Sequence, residues 1–375
     1  MKIIINTTNL KTGGALQVAI SFIYDCKYFV ENEYFVFLSS SISKEIQQDK
    51  FPSNFKFYTF NNPSRFILFD KTIKKLDKKE REIIPDVIFS VFGPTYWKPK
   101  SKHIMGFANG LYLYDESPYF DSFSFLDKIK FKLKKEYHRF LLKRNADFYV
   151  LQTEDMQKRF AKFIGKKEDM MQVVSGRYDS IFEQPVKDLK LLPKKKSGEF
   201  WFITISAYYP HKRLDLINDL IPLIKKEGLN IKFVLTISED IFETKFKSVE
   251  DYIINLGPVK LEECPYLYYN SDALFLPTLI ESFTASYPES MIMKKPILTS
   301  NYSFAKTVCK NAALYFNPYD IDDIMKQIKK VYCDKKLYDD LVVEGLKIVQ
   351  ELPSSKDRAN QYLNLCKKVV DNVQK

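Results

Sequence analysis

Ala273-Leu-Phe-Leu-Pro-Thr-Leu-Ile280 runs straight into Glu281-Ser-Phe-Thr-Ala-Ser-Tyr-Pro-Glu289. The first segment is a short apolar run of the kind that forms a strand buried on both faces. The second reads as a turn into a helix. A strand that delivers its carboxyl end to a helix N-terminus is where open α/β sheets bind phosphates, because unpaired N–H groups and the helix dipole point there. If most of the second segment is helical, a rise of ~1.5 Å per residue sets its two carboxylates about 12 Å apart. That is the length of a sugar-diphosphate-ribose chain. In this layout Glu281 meets the sugar, the backbone amides of Ser282, Phe283 and Thr284 meet the diphosphate, and Glu289 meets the ribose hydroxyls.

Outward from this stretch, short apolar runs alternate with amphipathic ones along the whole chain, the pattern of repeated βα units. In the first half the strand candidates are 3–5, 34–39, 56–60, 87–91, 103–107 and 148–152, closed by Val173-Val174. In the second half they are 200–205, 232–237, 252–256, 273–277 and 296–300. Between the halves, 182–198 holds two prolines and Lys194-Lys-Lys196 and reads as a linker. The expected architecture is α/β: two doubly wound Rossmann-like domains facing a cleft, one over 1–185 and one over 199–356.

Composition narrows the class. The 375 residues suffice for two domains, and 45% hydrophobic with 15% aromatic content excludes a disordered chain. No run of eighteen apolar residues occurs, so a membrane span is not expected. The five cysteines are scattered, odd in number and without a Cys-x-x-Cys, which fits free thiols in a reducing cytoplasm. With only three histidines a His-rich metal site is not expected. The net charge of +11 calls for an anionic partner: nucleic acid, nucleotide or phospholipid surface. The 31 Phe and 24 Tyr sit mostly within apolar runs and no RNA-binding motif is present, which argues against nucleic acid.

Glu-x7-Glu after an apolar strand resembles the signature of retaining glycosyltransferases of the GT-B fold, in particular family 4. Four further segments fall in the matching order. Ser206-Ala-Tyr-Tyr-Pro-His-Lys212 resembles the segment whose lysine holds the donor diphosphate, and Asn255-Leu-Gly-Pro-Val259 the loop bordering the nucleotide base. Pro265-Tyr-Leu-Tyr-Tyr-Asn-Ser-Asp-Ala273 resembles a helix and turn of the family, and Tyr315-Phe-Asn-Pro-Tyr-Asp320 a loop ahead of its C-terminal helices. The likeness is good over 201–320 and thin in the first half.

The resemblance implies a metal-independent enzyme without a cofactor, moving a hexose from a nucleoside-diphosphate sugar to a glycan or lipid-linked glycan in bacterial surface polysaccharide synthesis. Lys212 and Glu281 would be catalytic, with Val259 and Glu289 also on the donor. Read alone, Lys212 is equally a solvated lysine beside Arg213. The family's upstream Gly-Arg is replaced by Ser206-Ala-Tyr208, so a second cation is either absent or supplied by Arg213 or the first domain. Gly13-Gly14, at the first βα turn, is a donor contact or a plain tight turn. In Gly106-Phe-Ala-Asn-Gly110 the family's histidine is missing; either Asn109 takes over as an acceptor contact or the acceptor is held differently. Lys294 stands where the family carries glycine, so the end of that helix is strained or differently closed. The final segment, 357–375, is expected to pack back on the first domain. A sugar-nucleotide epimerase or a synthase of the same fold is the alternative enzyme, and a basic nucleic-acid-binding protein the alternative outside the fold.

Two charged features remain. Asp320-Ile-Asp322 imitates an Asp-x-Asp metal motif but sits where a helix N-cap belongs. Residues 125–147 hold eight Lys/Arg against three acids, with Leu126, Ile129, Leu133, Tyr137, Phe140 and Leu141 at helical spacing. Such a helix suits an anionic membrane surface, with Lys128, Lys132, Lys135 and Arg139 as contacts and the enzyme peripheral on the inner face of the membrane. The other reading is a core-packed helix with a solvated basic face.

Overall fold

The structure is a computed structural model that describes residues 1–11, 13–63, 70–184 and 189–371. The chain divides into two compact units, one of 1–115, 122–176 and 353–375, the other of 116–121 and 177–352.

The first unit is built on seven parallel strands: β1 (Lys2–Asn6), β2 (Glu33–Ser39), β3 (Phe55–Phe60), β4 (Val87–Ser90), β5 (Lys102–Gly106), β6 (Phe148–Leu151) and β7 (Met171–Val173). Their order is β3-β2-β1-β4-β5-β6-β7, so the winding reverses between β1 and β4. Alternation along β1 explains why both faces are covered. Ile3 and Ile5 pack with Phe22, Phe89 and Tyr362 on one side, Ile4 with Phe37, Leu76 and Trp97 on the other. Helices α1 (Gly14–Asp25), α2 (Lys71–Ile83), α3 (Phe125–Asn145) and α4 (Glu154–Ile164) belong to this unit. Gly106 leaves no choice of side chain, since a Cβ there would lie 2.0 Å from the Val91 carbonyl oxygen.

The second unit has strands β8 (Phe200–Thr204), β9 (Ile231–Leu235), β10 (Ile253–Asn255), β11 (Ala273–Leu276), β12 (Ile297–Ser300) and β13 (Ala313–Phe316), in the order β10-β9-β8-β11-β12-β13. Its helices are α5 (Leu216–Lys226), α6 (Glu239–Lys245), α7 (Cys264–Asn270), α8 (Ser286–Ile292), α9 (Ser303–Cys309), α10 (Ile321–Cys333) and α11 (Lys335–Glu351). Phe202, Phe233 and Phe275 on three adjacent strands form an aromatic core with centroids 5.5–5.9 Å apart. The chain then returns: α12 (Ser355–Asp371) lays Tyr362 edge-on to Phe22 at 5.1 Å, within the first unit.

Two boundaries differ from the sequence reading. The chain passes from one unit to the other at Gly176–Arg177, ahead of the proline-containing stretch, because Phe182 is buried against Tyr268 of the second unit at 5.9 Å. Residues 185–188, inside the expected linker and at the expected end of the first domain, lie outside the described residues. The helix after β11 begins at Ser286, so Glu281 to Ala285 form a loop, and the helical spacing of about 12 Å between the two carboxylates does not apply.

Candidate active site

The second sheet reverses its winding between β8 and β11, and open parallel sheets bind ligands at the carboxyl ends of the strands beside such a reversal. Lys212 lies in the segment leaving β8 and Glu281 in the segment leaving β11. The two segments are stitched together. The Leu279 amide donates to the His211 carbonyl at 2.8 Å, and the Thr278 hydroxyl donates to the same oxygen at 3.3 Å. Ser117, which the chain contributes to this unit from 116–121, donates to the Leu279 carbonyl at 3.0 Å. These bonds bring the Lys212 ammonium and the Glu281 carboxylate into a direct ion pair, each side chain only 12% exposed. Two groups 69 residues apart in sequence thus form one charged centre.

The turn that carries Lys212 is held from both sides. Pro210–Lys212 makes a single helical turn, and Arg213 follows with φ 52°, the left-handed region that side chains rarely adopt. Arg213 lays its guanidinium 3.9 Å over the ring of Tyr319, which stands in the loop after β13. Behind the turn, the Tyr208 hydroxyl donates to Asp215 at 2.5 Å. The His211 ring stacks on Tyr209 at 5.5 Å and meets Tyr119 edge-on at 5.8 Å. Burial lowers the imidazole pKa, and Glu281 only partly offsets it.

Glu289 sits on α8. Enclosure pushes its carboxyl up to about 7, which the 3.2 Å hydrogen bond from the Tyr268 hydroxyl moderates and nearby Asp179 reinforces. Thr284 is buried and Ser282 and Phe283 half-buried in the loop between the two carboxylates. The end of α8 closes through Lys294 in the left-handed region (φ 58°), with its amide on the Met291 carbonyl at 3.1 Å and that of Lys295 on Ser290 at 2.8 Å. Lysine therefore occupies a position suited to glycine. Val259 leaves β10, the outer strand, with β9 and β8 between it and β11.

Asp320 is a helix cap. Its carboxylate accepts from the amides of Asp322 at 3.1 Å and Asp323 at 3.0 Å at the start of α10. Among the described residues no group of three or more His, Cys, Asp or Glu is placed to hold a metal ion.

The first unit has its own cleft, of about 340 Å³, at the carboxyl ends of β1, β4 and β5. Asn9, Lys11, Tyr96, Asn109 and His138 line it. Asn109 spends its carbonyl oxygen on the Leu111 amide at 3.1 Å. The imidazole beside it comes from α3: His138 Nδ1 is 2.9 Å from the Tyr112 hydroxyl and Nε2 3.3 Å from that of Tyr96. Sequence reading passed over His138; its only signal was helical spacing with inward-facing Leu141, Leu142 and Asn145. Gly13 has φ 80° and opens the turn into α1, although neither it nor Gly14 is among the cleft-lining residues. His103 is structural. Ser90 sits 2.7 Å from its Nε2, Asn145 accepts from Nδ1, and burial lowers its pKa to about 4.

Of the four cations expected to face a membrane, Lys128 and Lys132 are exposed, and Arg139 pairs with Glu136 at 3.0 Å. Lys135 is a correction. It turns back onto the protein, pairing with Asp115 and lying 5.2 Å over the Phe163 ring, and is 12% exposed.

Residues 190–347, most of the second unit, match the family described as Glycosyl transferases group 1. The second unit is similar to that family over these residues. The fold is shared along the whole chain. A glycosyltransferase from Rickettsia africae ESF-5 superposes with TM-score 0.74 at 15% identity, covering 99% of each chain. Anabaena HepE in complex with UDP and glucose gives 0.72 at 14%, covering 98% of this chain and 100% of that one. WaaG, a glycosyltransferase involved in lipopolysaccharide biosynthesis, gives 0.71 at 11%, covering 98% and 99%. No curated protein sequence matches the chain. The matched stretch carries Lys212, Arg213, Val259, Ser282–Thr284 and both glutamates.

Proposed function

We propose that the protein is a retaining hexosyltransferase. It moves a sugar from a nucleoside-diphosphate donor to a hydroxyl of a glycan or lipid-linked glycan in bacterial surface polysaccharide synthesis, in the cytoplasm at the inner face of the membrane. The observation that carries this reading is the Lys212–Glu281 pair at the winding reversal of the second unit. In the structure the two charges satisfy each other. A diphosphate carries more negative charge than one carboxylate, so on binding it takes Lys212 from Glu281. The freed carboxylate then accepts hydrogen bonds from the sugar's 3- and 4-hydroxyls, and Lys212 neutralises the leaving diphosphate. Arg213 is the second cation. Glu289 accepts from the ribose hydroxyls, and Ser282–Thr284 bind phosphate through backbone amides. The acceptor attacks from the face the diphosphate leaves, giving its proton to a donor phosphate oxygen. No divalent metal takes part.

The fold shared with HepE, which was solved with UDP-glucose, favours a uridine donor. Incubating the protein with a panel of UDP- and GDP-sugars and following both thermal stabilisation and nucleotide release tests the proposal. Saturable stabilisation by one nucleotide family and its sugar is expected. No stabilisation by any member of either would overturn it.

A further inference from the structure

Helix α3 has two apolar faces and only one of them is packed. Its inward face buries Leu141, Leu142, His138 and Asn145, with Phe131 5.7 Å from Tyr112. Its other face presents Phe125, Leu126, Ile129, Leu133 and Phe140 to solvent, 77, 63, 41, 68 and 54% exposed. At about 100° per residue these five fall on one side, opposite His138 and Leu142. They are five of the twelve large hydrophobic side chains exposed among the described residues, and the rest are scattered along the chain. Lys128, Lys132 and Arg139 flank this stripe along one edge, Lys130 and Arg144 along the other.

The helix carries two acids against these five flanking cations. Asp127 accepts from the Ser124 hydroxyl at 2.6 Å, and Glu136 pairs with Arg139. Near the helix end, Arg139, Phe140, Lys143 and Arg144 surround a shallow depression of about 490 Å³ with Glu136 at its rim. Contiguous apolar surface with cations on both edges is complementary to a lipid–water interface, where long basic side chains reach outward to phosphates while their neighbours enter the acyl boundary. A second copy of the chain fits poorly, because symmetric pairing would set basic flank against basic flank. No helix among the described residues is long and apolar enough to cross a membrane, so the contact is in-plane.

We infer that the outward face of α3 is an in-plane anchor for an anionic lipid bilayer. The inference shares with the proposed function only the placement at a membrane; no donor chemistry enters it.

The test uses the full chain with vesicles of phosphatidylcholine alone or mixed with phosphatidylglycerol, at low and high salt. Co-sedimentation is expected only with the anionic vesicles and only at low salt. A triple charge variant, Lys128→Gln, Lys132→Gln and Arg139→Gln, removes three cations and should weaken binding on the order of 100-fold. A second variant, Leu126→Gln with Leu133→Gln, keeps every charge and should also lose binding. A Leu133→Trp reporter should shift its emission to the blue on anionic vesicles and not on neutral ones. Failure of the wild type to sediment, or binding retained in both variants, overturns the inference, as does a dimer in solution that the Leu126/Leu133 variant breaks. UDP binding is measured in the same samples and should be equal in wild type and variants. Absence of UDP binding in all of them would refute the proposed function while leaving the vesicle result standing.

Discussion

Glu281→Gln should change donor binding and turnover in opposite directions. Glu281 holds the Lys212 ammonium, both side chains 12% exposed. The glutamine keeps size and hydrogen-bonding capacity but no longer pairs with a cation. Lys212 is then free to receive the diphosphate without first losing a partner. Breaking the pair costs about 1 kcal/mol, so UDP should bind roughly fivefold more tightly. The transferred sugar, in contrast, loses a charge-assisted acceptor worth about 1.5–3 kcal/mol. The kcat should therefore fall by about 10- to 150-fold. Isothermal titration with UDP and steady-state nucleotide release from the UDP-sugar read the two effects separately. A variant that merely loosens the loop from Glu281 to Ala285 would lower both. Loss of UDP affinity in parallel with kcat, or wild-type turnover, would refute the argument that one pair serves diphosphate and sugar in turn.

Three other outcomes follow from the same fold and site. EDTA should leave transfer unchanged, since Lys212 and Arg213 carry the leaving charge; abolition by chelation with recovery on Mn²⁺ would return Asp320 and Asp322 to consideration as ligands. Ile84 closes α2 in the left-handed region with φ 52° while 75% exposed. Ile84→Gly should relieve about 1 kcal/mol of backbone strain and raise the melting temperature by ~2–4 °C in calorimetry, against a drop if the side chain packs in solution. The Glu289 carboxyl sits at about 7 because burial favours its neutral form. Lowering the pH through that value should protonate the ribose acceptor and weaken UDP binding, by at most about tenfold per pH unit. In Glu289→Gln that component of the pH dependence should vanish; the same slope in both proteins would remove Glu289 from the ribose.

What was legible in the sequence follows from which physical signals are local. Strands buried on both faces announce themselves as apolar runs, which is why all but two of the strands are legible; Met171–Val173 is marked only by the Val173-Val174 pair, and Ala313–Phe316 is hidden because its last two residues belong to a quoted loop motif. The Lys212–Glu281 site was legible as two motifs after two strands, but their ion pair was not, because it depends on Leu279 bonding to His211 between the segments that follow those strands. The helix begins only at Ser286, past the middle of the segment, since Ser282 and Thr284 are as good a prelude to a helix as Ser286 is its beginning. The hardest case is α3. Its apolar residues recur at helical spacing on two opposite sides, and periodicity reports that a face is apolar without saying what covers it. Packing decided the question in both directions. Leu141 went inward and Leu126, Ile129, Leu133 and Phe140 stayed out, while Lys135, one of the cations expected to meet lipid, was drawn in by Asp115. The same helix places His138 in the first unit's cleft, so a single element ties the exposed basic face to the polar pocket beside Asn109. An acceptor carried on a lipid would use both sides of that helix, and a soluble glycan only the side that holds His138.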